Sequence, residues 1–138
     1  MEIRIASAND IKNVYALRNE VFVNEQNVPP EIEIDEEDKH ATHIIAAEHG
    51  VTGGCARILF GDDGGHVGRL AVKRSERGRG IGGGICRFII SLCRERGYKR
   101  IWLNSQLHAV GFYEKLGFSP CGETFFEAGI EHIEMEIR

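Results

Sequence analysis

The stretch Arg77–Gly84, RGRGIGGG, holds five glycines and two arginines in eight positions. A strand-like segment, HVGRLAV, comes before it, and apolar residues at helical spacing come after it. Each glycine inside a helix costs about 1 kcal/mol relative to alanine, so Gly82, Gly83 and Gly84 need an explanation. Because the first turn of a helix has backbone N–H groups that lack internal partners and bind anions, the pattern predicts a phosphate site. A loop that is merely flexible, or a helix packed tightly on a sheet, is the alternative interpretation.

Two common phosphate motifs fit this stretch poorly. Gly78–Gly83 matches G-x-G-x-x-G, but a dinucleotide-binding fold needs an acidic residue about 20 positions later. The chain has Leu103 and Asn104 in that place. A Walker A loop needs Gly-Lys followed by Ser or Thr at its end, and the stretch has no such ending. A nucleotide-dependent oxidoreductase is therefore the least favoured hypothesis.

The composition is that of an ordinary globular chain, with 42% apolar and 28% charged residues among 138. We expect one domain, residues 1–138. The net charge of −4 argues against a nucleic-acid partner, since such proteins carry a basic face. No apolar run approaches the roughly 18–20 residues of a membrane span, and MEIRIASAND lacks the apolar core of a signal peptide. We therefore expect a cytoplasmic protein without a membrane partner.

The periodicity along the chain predicts an α/β domain with a mixed sheet. Alternation indicates strands at residues 2–6, 42–49, 55–61, 66–72 and 100–104, and two more after residue 117. Helical spacing indicates helices at 11–22, 85–93 and 109–117. Ser7–Asp10 has the form of a capping box before the first of these helices. The element order is then β-α-β-β-β-α-β-α-β-β, with an antiparallel meander in its first half.

The cysteines and histidines do not indicate a metal site. None of Cys55, Cys86, Cys93 and Cys121 forms a C-x-x-C pair, so we expect buried free thiols. His40-x-x-His43, with an aspartate nearby, matches no strong zinc signature. We therefore expect no metal. Trp102, in a strand-like segment, is expected in the core.

Two motifs together carry a family resemblance. Arg77-x-x-Gly80-x-Gly82 is similar to the acyl-CoA loop pattern R/Q-x-x-G-x-G/A of the GNAT superfamily of N-acetyltransferases. QLHAVGFYEKLGF, Gln106–Phe118, resembles the second GNAT signature, with Gln106 where asparagine is usual. VFVNEQNVP and the ending FFEAGIEHIEM resemble the ElaA/YjcF-like bacterial branch. The resemblance covers nearly the whole chain, and it implies a mostly antiparallel sheet, flanked by helices and splayed at the acyl-CoA site.

The resemblance implies an acetyl-CoA-dependent N-acetyltransferase, in which a primary amine of a small molecule or peptide attacks the thioester directly. A backbone N–H near Leu70 or Val72 would stabilise the developing oxyanion, and Tyr113 would act as general acid. Residues that would bind the co-substrate acetyl-CoA are Leu70, Ala71, Val72, Arg77, Gly78, Arg79, Gly80, Ile81, Gly82, Gln106, Ala109 and Phe112. Dimers are common in this family, so a homodimer is compatible with the resemblance.

Several questions stay open at the level of sequence. Candidates for the general base are Glu33, Asp35, Asp38, His43, His66 and Glu127. The segment Glu31–Asp38 has six carboxylates in eight residues, and such runs are usually solvated surface loops. The alternative is an electrostatic funnel for a cationic amine. A non-catalytic acyl-CoA-binding sensor on the same fold is the second functional hypothesis, and the replacement of asparagine by Gln106 favours it slightly.

Overall fold

The computed structural model describes all residues, 1–138, and contains one seven-stranded sheet in the spatial order β1-β2-β3-β4-β5-β7-β6. The strands are β1 (Glu2–Ile5), β2 (Thr42–Glu48), β3 (Val51–Gly61), β4 (Gly64–Val72), β5 (Ile101–Gln106), β6 (Ser119–Glu127) and β7 (Ile130–Ile137). The helices are α1 (Ile11–Arg18), α2 (Pro30–Glu33), α3 (Ile81–Glu95) and α4 (Val110–Lys115). The predicted element order is confirmed, and α2 is an addition that lies inside the acidic segment.

The two main helices cover opposite faces of the sheet. On one face α3 buries Ile85 and Ile89 in the larger apolar core, as its helical spacing predicts. On the other face α1 buries Val14 and Leu17 in a second, smaller core. Burying a side chain of this size stabilises the fold by about 1.5–3 kcal/mol. All four cysteines are free thiols, and Cys121 is the one that is not fully buried, so the expectation for these residues is confirmed except at that position.

Helix α1 continues into a π-helical stretch, Asn19–Glu25. The N–H of Gln26 donates to the carbonyl of Val21 at 3.2 Å, five residues back. The wider π-helical turn rotates the following side chains relative to the stripe that α1 buries, and such turns are frequent at functional sites. The sequence predicts an ordinary helix here, because π-helical turns have no periodic signature of their own.

The sheet opens between its two parallel neighbours, β4 and β5. Their pairing covers three positions and ends at Val67 opposite Leu103, although β4 runs on to Val72. All other strand pairs in the sheet are antiparallel. The expected splay of a mostly antiparallel sheet is therefore present, and it leaves the end of β4 without a neighbour on the β5 side.

The longest helix, α3, has 15 residues, and none of the helices combines the length and apolar character that crossing a bilayer requires.

Candidate active site

A cleft of about 900 Å³ lies where β4 and β5 separate. Its walls come from the π-helical stretch, the acidic segment, the end of β4, the start of α3, the start of α4 and the β6–β7 turn. Tyr113 and every residue that the sequence suggested for acetyl-CoA binding line this cleft, except Arg79, whereas the candidate bases Asp38 and His43 lie outside it. Residues that are far apart in the chain thus converge on one concave surface.

The glycine-rich loop ends in a helix start with free hydrogen-bond donors. Gly78 and Gly80 have φ values of 83° and 78°, which only glycine adopts without strain. The first helical hydrogen bond of α3 runs from the N–H of Gly84 to the carbonyl of Gly80 at 3.0 Å. The N–H groups of Ile81, Gly82 and Gly83 therefore have no acceptor in the chain. Three such donors at the positive end of a helix dipole favour an anion.

Two glycines of the first turn of α3, Gly82 and Gly84, lie close to side chains of other elements. A Cβ at Gly82 would lie 3.4 Å from Cζ of Phe112, at the point where α3 and α4 both line the cleft. A Cβ at Gly84 would lie 2.9 Å from Cδ1 of Ile3 in β1, so this glycine allows α3 to pack closely on the sheet. The anion hypothesis alone does not explain all three glycines, because tight packing accounts for Gly84.

The two arginines of the loop have different environments. Arg77 lines the cleft, donates from Nε to the carbonyl of Val72 at 3.0 Å, and pairs with Glu25 at 2.9 Å. Arg79 instead pairs with Glu76 and with Glu48 of β2. The structure does not bring Arg79 to the cleft, because its guanidinium is neutralised by two carboxylates. Arg79 is therefore not a lining residue of the cleft, and its role in acetyl-CoA binding stays a prediction.

The second motif forms the opposite wall of the cleft. Gln106 donates from Nε2 to Oε1 of Gln26 at 3.0 Å, and its own Oε1 lies 2.7 Å from Nε2 of His108. This glutamine thus ties β5 to the loop after the π-helical stretch. Tyr113 packs edge-to-face on Phe112 and Phe118 with centroids 5.0 and 5.8 Å away. Burial raises the pKa of the Tyr113 phenol above its ordinary value, so the hydroxyl keeps its proton at neutral pH.

His66 is the cleft residue best placed to accept a proton. Its ring stacks on the indole of Trp102 with centroids 3.7 Å apart, so Trp102 is half-buried in this stack and not in the core. Neither ring nitrogen of His66 has a hydrogen-bond partner in the chain. Neither nitrogen is fully buried, so both are accessible from the cleft. Burial, followed by the charge of Arg57, lowers the pKa of His66. The imidazole is therefore neutral at physiological pH.

The other candidate bases divide into two groups. Glu33, Asp35 and Asp38 form ion pairs with arginines, and His43 is buried outside the cleft with Nε2 3.1 Å from the carbonyl of Asp38. These four are occupied or inaccessible. Glu127 lines the cleft beside the β6–β7 turn and has no ion-pair partner, so it remains available to an incoming cation.

The acidic segment is neither a solvated loop nor a simple funnel. Glu33 is 3% exposed and Asp38 is 5% exposed, and both bind the fully buried guanidinium of Arg18. Burial opposes ionisation of Asp38, but hydrogen bonds from Arg18 and Arg57 hold the pKa of its carboxyl below the usual range. Three of the six carboxylates are thus neutralised internally. Glu31, Glu36 and Glu37 stay exposed.

Three arginines that organise this region were not predicted from the sequence. They are Arg18 of α1, Arg57 of β3 and Arg69 of β4, and each of them donates hydrogen bonds to the acidic segment. A signal was present for two of them. Arg18 sits on the apolar stripe of α1 and Arg57 on an inward-facing position of an apolar strand, where an arginine almost always needs a buried partner.

Comparisons with known proteins agree with this fold. A family model described as an acetyltransferase (GNAT) domain matches residues 6–138. The chain is 37% identical over 126 residues to the uncharacterized N-acetyltransferase YjcF of Bacillus subtilis, covering 91% of this chain and 90% of that protein. The crystal structure of ElaA from Escherichia coli matches with a TM-score of 0.91 at 28% identity, covering 100% of both chains. An aminoglycoside 6'-N-acetyltransferase complexed with coenzyme A has the same fold, with a TM-score of 0.79 at 18% identity, covering 99% of this chain and 96% of that one.

Proposed function

The chain belongs to the GNAT acetyltransferase family, and we propose that it transfers an acetyl group from acetyl-CoA to a primary amine of a small molecule or peptide. One observation supports the proposal more strongly than the others. Three unpartnered N–H groups at the start of α3 adjoin a cleft that opens at the splay between β4 and β5. A pyrophosphate and an extended arm leading away from it need this combination of an anion cradle and an unpaired strand end.

The residues present suit coenzyme A. The pyrophosphate would lie on the N–H groups of Ile81, Gly82 and Gly83, with the Arg77 guanidinium nearby. The main chain of Leu70–Val72 has no strand partner on the β5 side, so it can pair with the amide groups of the pantetheine arm. An aminoglycoside 6'-N-acetyltransferase of the same fold was crystallised with coenzyme A, which supports coenzyme A as the ligand.

Acetyl-CoA supplies an activated acyl group when it is bound, and the chain supplies proton transfer and charge stabilisation. A main-chain N–H near Leu70 or Val72 would stabilise negative charge on the thioester oxygen, which is usually the largest contribution in acyl transfer. His66, neutral and free in the cleft, would take a proton from the ammonium form of the amine, directly or through water. Tyr113 keeps its proton and would donate it to the departing sulfur.

A thermal-shift titration with acetyl-CoA, coenzyme A and NAD in parallel tests the assignment of the cleft. A ligand that binds only the folded state adds about 2.7 kcal/mol at 100 times its Kd, which is readily measured. We expect stabilisation by both coenzyme A species and none by NAD. Stabilisation by NAD alone would mean that the glycine-rich loop binds a dinucleotide instead of coenzyme A. Stabilisation by none of the three ligands would contradict the proposal.

A further inference from the structure

Arg69 has an unusual backbone conformation inside a strand. Its φ is 52°, and the other non-glycine residues with positive φ lie in turns or loops. At this point of β4 the register with β3 shifts between Cys55 and Arg57. The left-handed conformation costs a side-chain-bearing residue roughly 1–2 kcal/mol, and strain of this kind persists only where the surroundings impose it. The contacts of Arg69 show what imposes it here.

The guanidinium of Arg69 is clamped by the acidic segment. Nε and Nη2 donate to the main-chain carbonyl of Glu33 at 3.1 and 2.9 Å. Nε also lies 2.8 Å from the Glu33 carboxylate, and Nη2 lies 3.3 Å from the Asp35 carboxylate. Because Glu33 is almost fully buried, these contacts are protected from water and hold the side chain of Arg69 in one orientation.

Two further arginines hold the clamp itself. Arg18 donates to the same Glu33 carbonyl at 2.8 Å and binds the Glu33 carboxylate at 3.0 Å. Arg57 makes two contacts to the Asp35 carboxylate, at 2.7 and 3.1 Å. Together with Asp38, the cluster contains three guanidinium groups and three carboxylates, so its charges balance. It joins α1, the acidic segment, β3 and the bulge of β4 into one unit.

The bulge lies directly before the strand end that faces the splay. Arg69 is followed by Leu70, and both belong to the segment of β4 beyond Val67 that β5 no longer covers. We infer that Glu33 and Asp35 are positioning residues, which fix the left-handed backbone of Arg69 and thereby place the Leu70 main chain against the thioester carbonyl. This inference rests on the proposed function, because it assumes that acetyl-CoA occupies the cleft.

The first readout of the test is the thioester carbonyl itself, which needs no acceptor amine, and the second is kcat. Isotope-edited infrared spectroscopy of carbon-13-labelled acetyl-CoA, bound to the wild-type chain, should show a lowered carbonyl stretching frequency, since a hydrogen bond polarises the group. Arg69→Gly accepts a positive φ freely but lacks the guanidinium. We expect this variant to bind acetyl-CoA, to lose most of the frequency shift, and to lose about 100-fold in kcat with an active acceptor, the effect of a small misplacement.

Asp35→Asn leaves Arg69 in place and weakens its contact with the acidic segment. It should therefore lose part of the frequency shift and of kcat, and it tests the inference even if Arg69→Gly does not fold. Arg94→Ala, which changes an exposed arginine of α3, is the control and should behave as the wild type. If both variants keep the wild-type shift and kcat, or lose them only in proportion to lost acetyl-CoA affinity, the inference is overturned. If the wild-type chain does not bind acetyl-CoA at all, the proposed function fails first, and the inference falls with it.

Discussion

The ring centroids of the His66 imidazole and the Trp102 indole lie 3.7 Å apart, and the angle between the ring planes is 3°. The stack comes from neighbouring positions of the parallel pair, since His66 is opposite Trp102 in the register of β4 and β5. It is the second-to-last paired position before the strands separate. The pairing of β4 with β5 therefore fixes the ring of His66 at the base of the cleft while both of its nitrogens stay free.

Replacement of His66 by glutamine should lower kcat/KM by about 100-fold to 10,000-fold, the range for loss of a general base. Glutamine fills similar space but does not accept a proton at neutral pH. Steady-state kinetics with acetyl-CoA and an active amine measure the loss, and coenzyme A affinity should stay unchanged. His49→Gln, at an exposed turn, is the matched control. Wild-type rates in His66→Gln would assign the proton transfer to another group, with Glu127 the next candidate.

The pH profile of the wild type follows from the two shifted groups. The pKa of His66 lies below its ordinary value of 6.5, so its neutral form prevails above that pKa and is lost as pH falls. We expect kcat to fall on the acid side with an apparent pKa below 6.5. The pKa of Tyr113 lies above its ordinary value of 10, so no alkaline loss from this residue is expected below that pH. An alkaline limb near neutrality, unchanged in Tyr113→Phe, would point to a different acid or to the substrate.

Tyr113→Phe separates a catalyst from an acyl-CoA sensor. The change removes one hydroxyl and keeps the edge-to-face packing with Phe112 and Phe118, so folding and coenzyme A binding should be preserved. Loss of the general acid should lower kcat by about 100-fold or more. Tyr98→Phe, at a tyrosine that packs on Phe60, is the control for loss of a hydroxyl. Equal rates for the wild type and Tyr113→Phe would remove this residue from the mechanism.

Gly80→Ala tests the anion cradle against a purely structural role. Gly80 has φ 78° and Gly97 has φ 84°, and a Cβ at either position meets nothing within 4 Å. Alanine at each should therefore cost a similar conformational strain, about 1–2 kcal/mol. Only Gly80 borders the cleft, so Gly80→Ala alone should weaken coenzyme A binding in calorimetry. Equal effects of both variants on affinity would mean that strain, and not the cradle, decides binding.

Arg18→Met should be among the most destabilising single changes in the chain. It leaves the buried carboxylates of Glu33 and Asp38 without their main partner, and breaking a buried pair costs about 3–5 kcal/mol. Urea unfolding at pH 7 measures the loss, and Arg4→Met, at a surface pair with Asp10, should cost far less.

Because the folded pKa of Asp38 is lowered, the wild type keeps the full contribution of this ion pair to stability above the unfolded pKa of about 3.9. That contribution disappears as pH falls through the folded pKa, and Arg18→Met should unfold at higher pH. Similar stability of both variants would contradict the role of the cluster.

The parts of the site that were predictable from sequence are those with local patterns. The loop at Gly78 and Gly80, the helix after it and the wall around Tyr113 depend on neighbouring residues, and all of them line the cleft. The orientation of Arg79 was not predictable, because Glu48, one of its partners, comes from a strand about 30 residues away. The acidic segment was misinterpreted for the same reason. Its neutralisation needs arginines from three separate elements, which only the folded chain brings together.

The proposed acetyl transfer is tested most directly by amine-dependent release of free thiol from acetyl-CoA by the purified wild-type chain, with a panel of primary amines and mass detection of the products. We expect thiol release with at least one amine, an equal amount of acetylated amine, and a strong reduction of both in His66→Gln and Tyr113→Phe. If the folded chain binds acetyl-CoA but neither releases thiol nor acetylates any amine in the panel, the chain is not the catalyst proposed here and the sensor hypothesis takes its place.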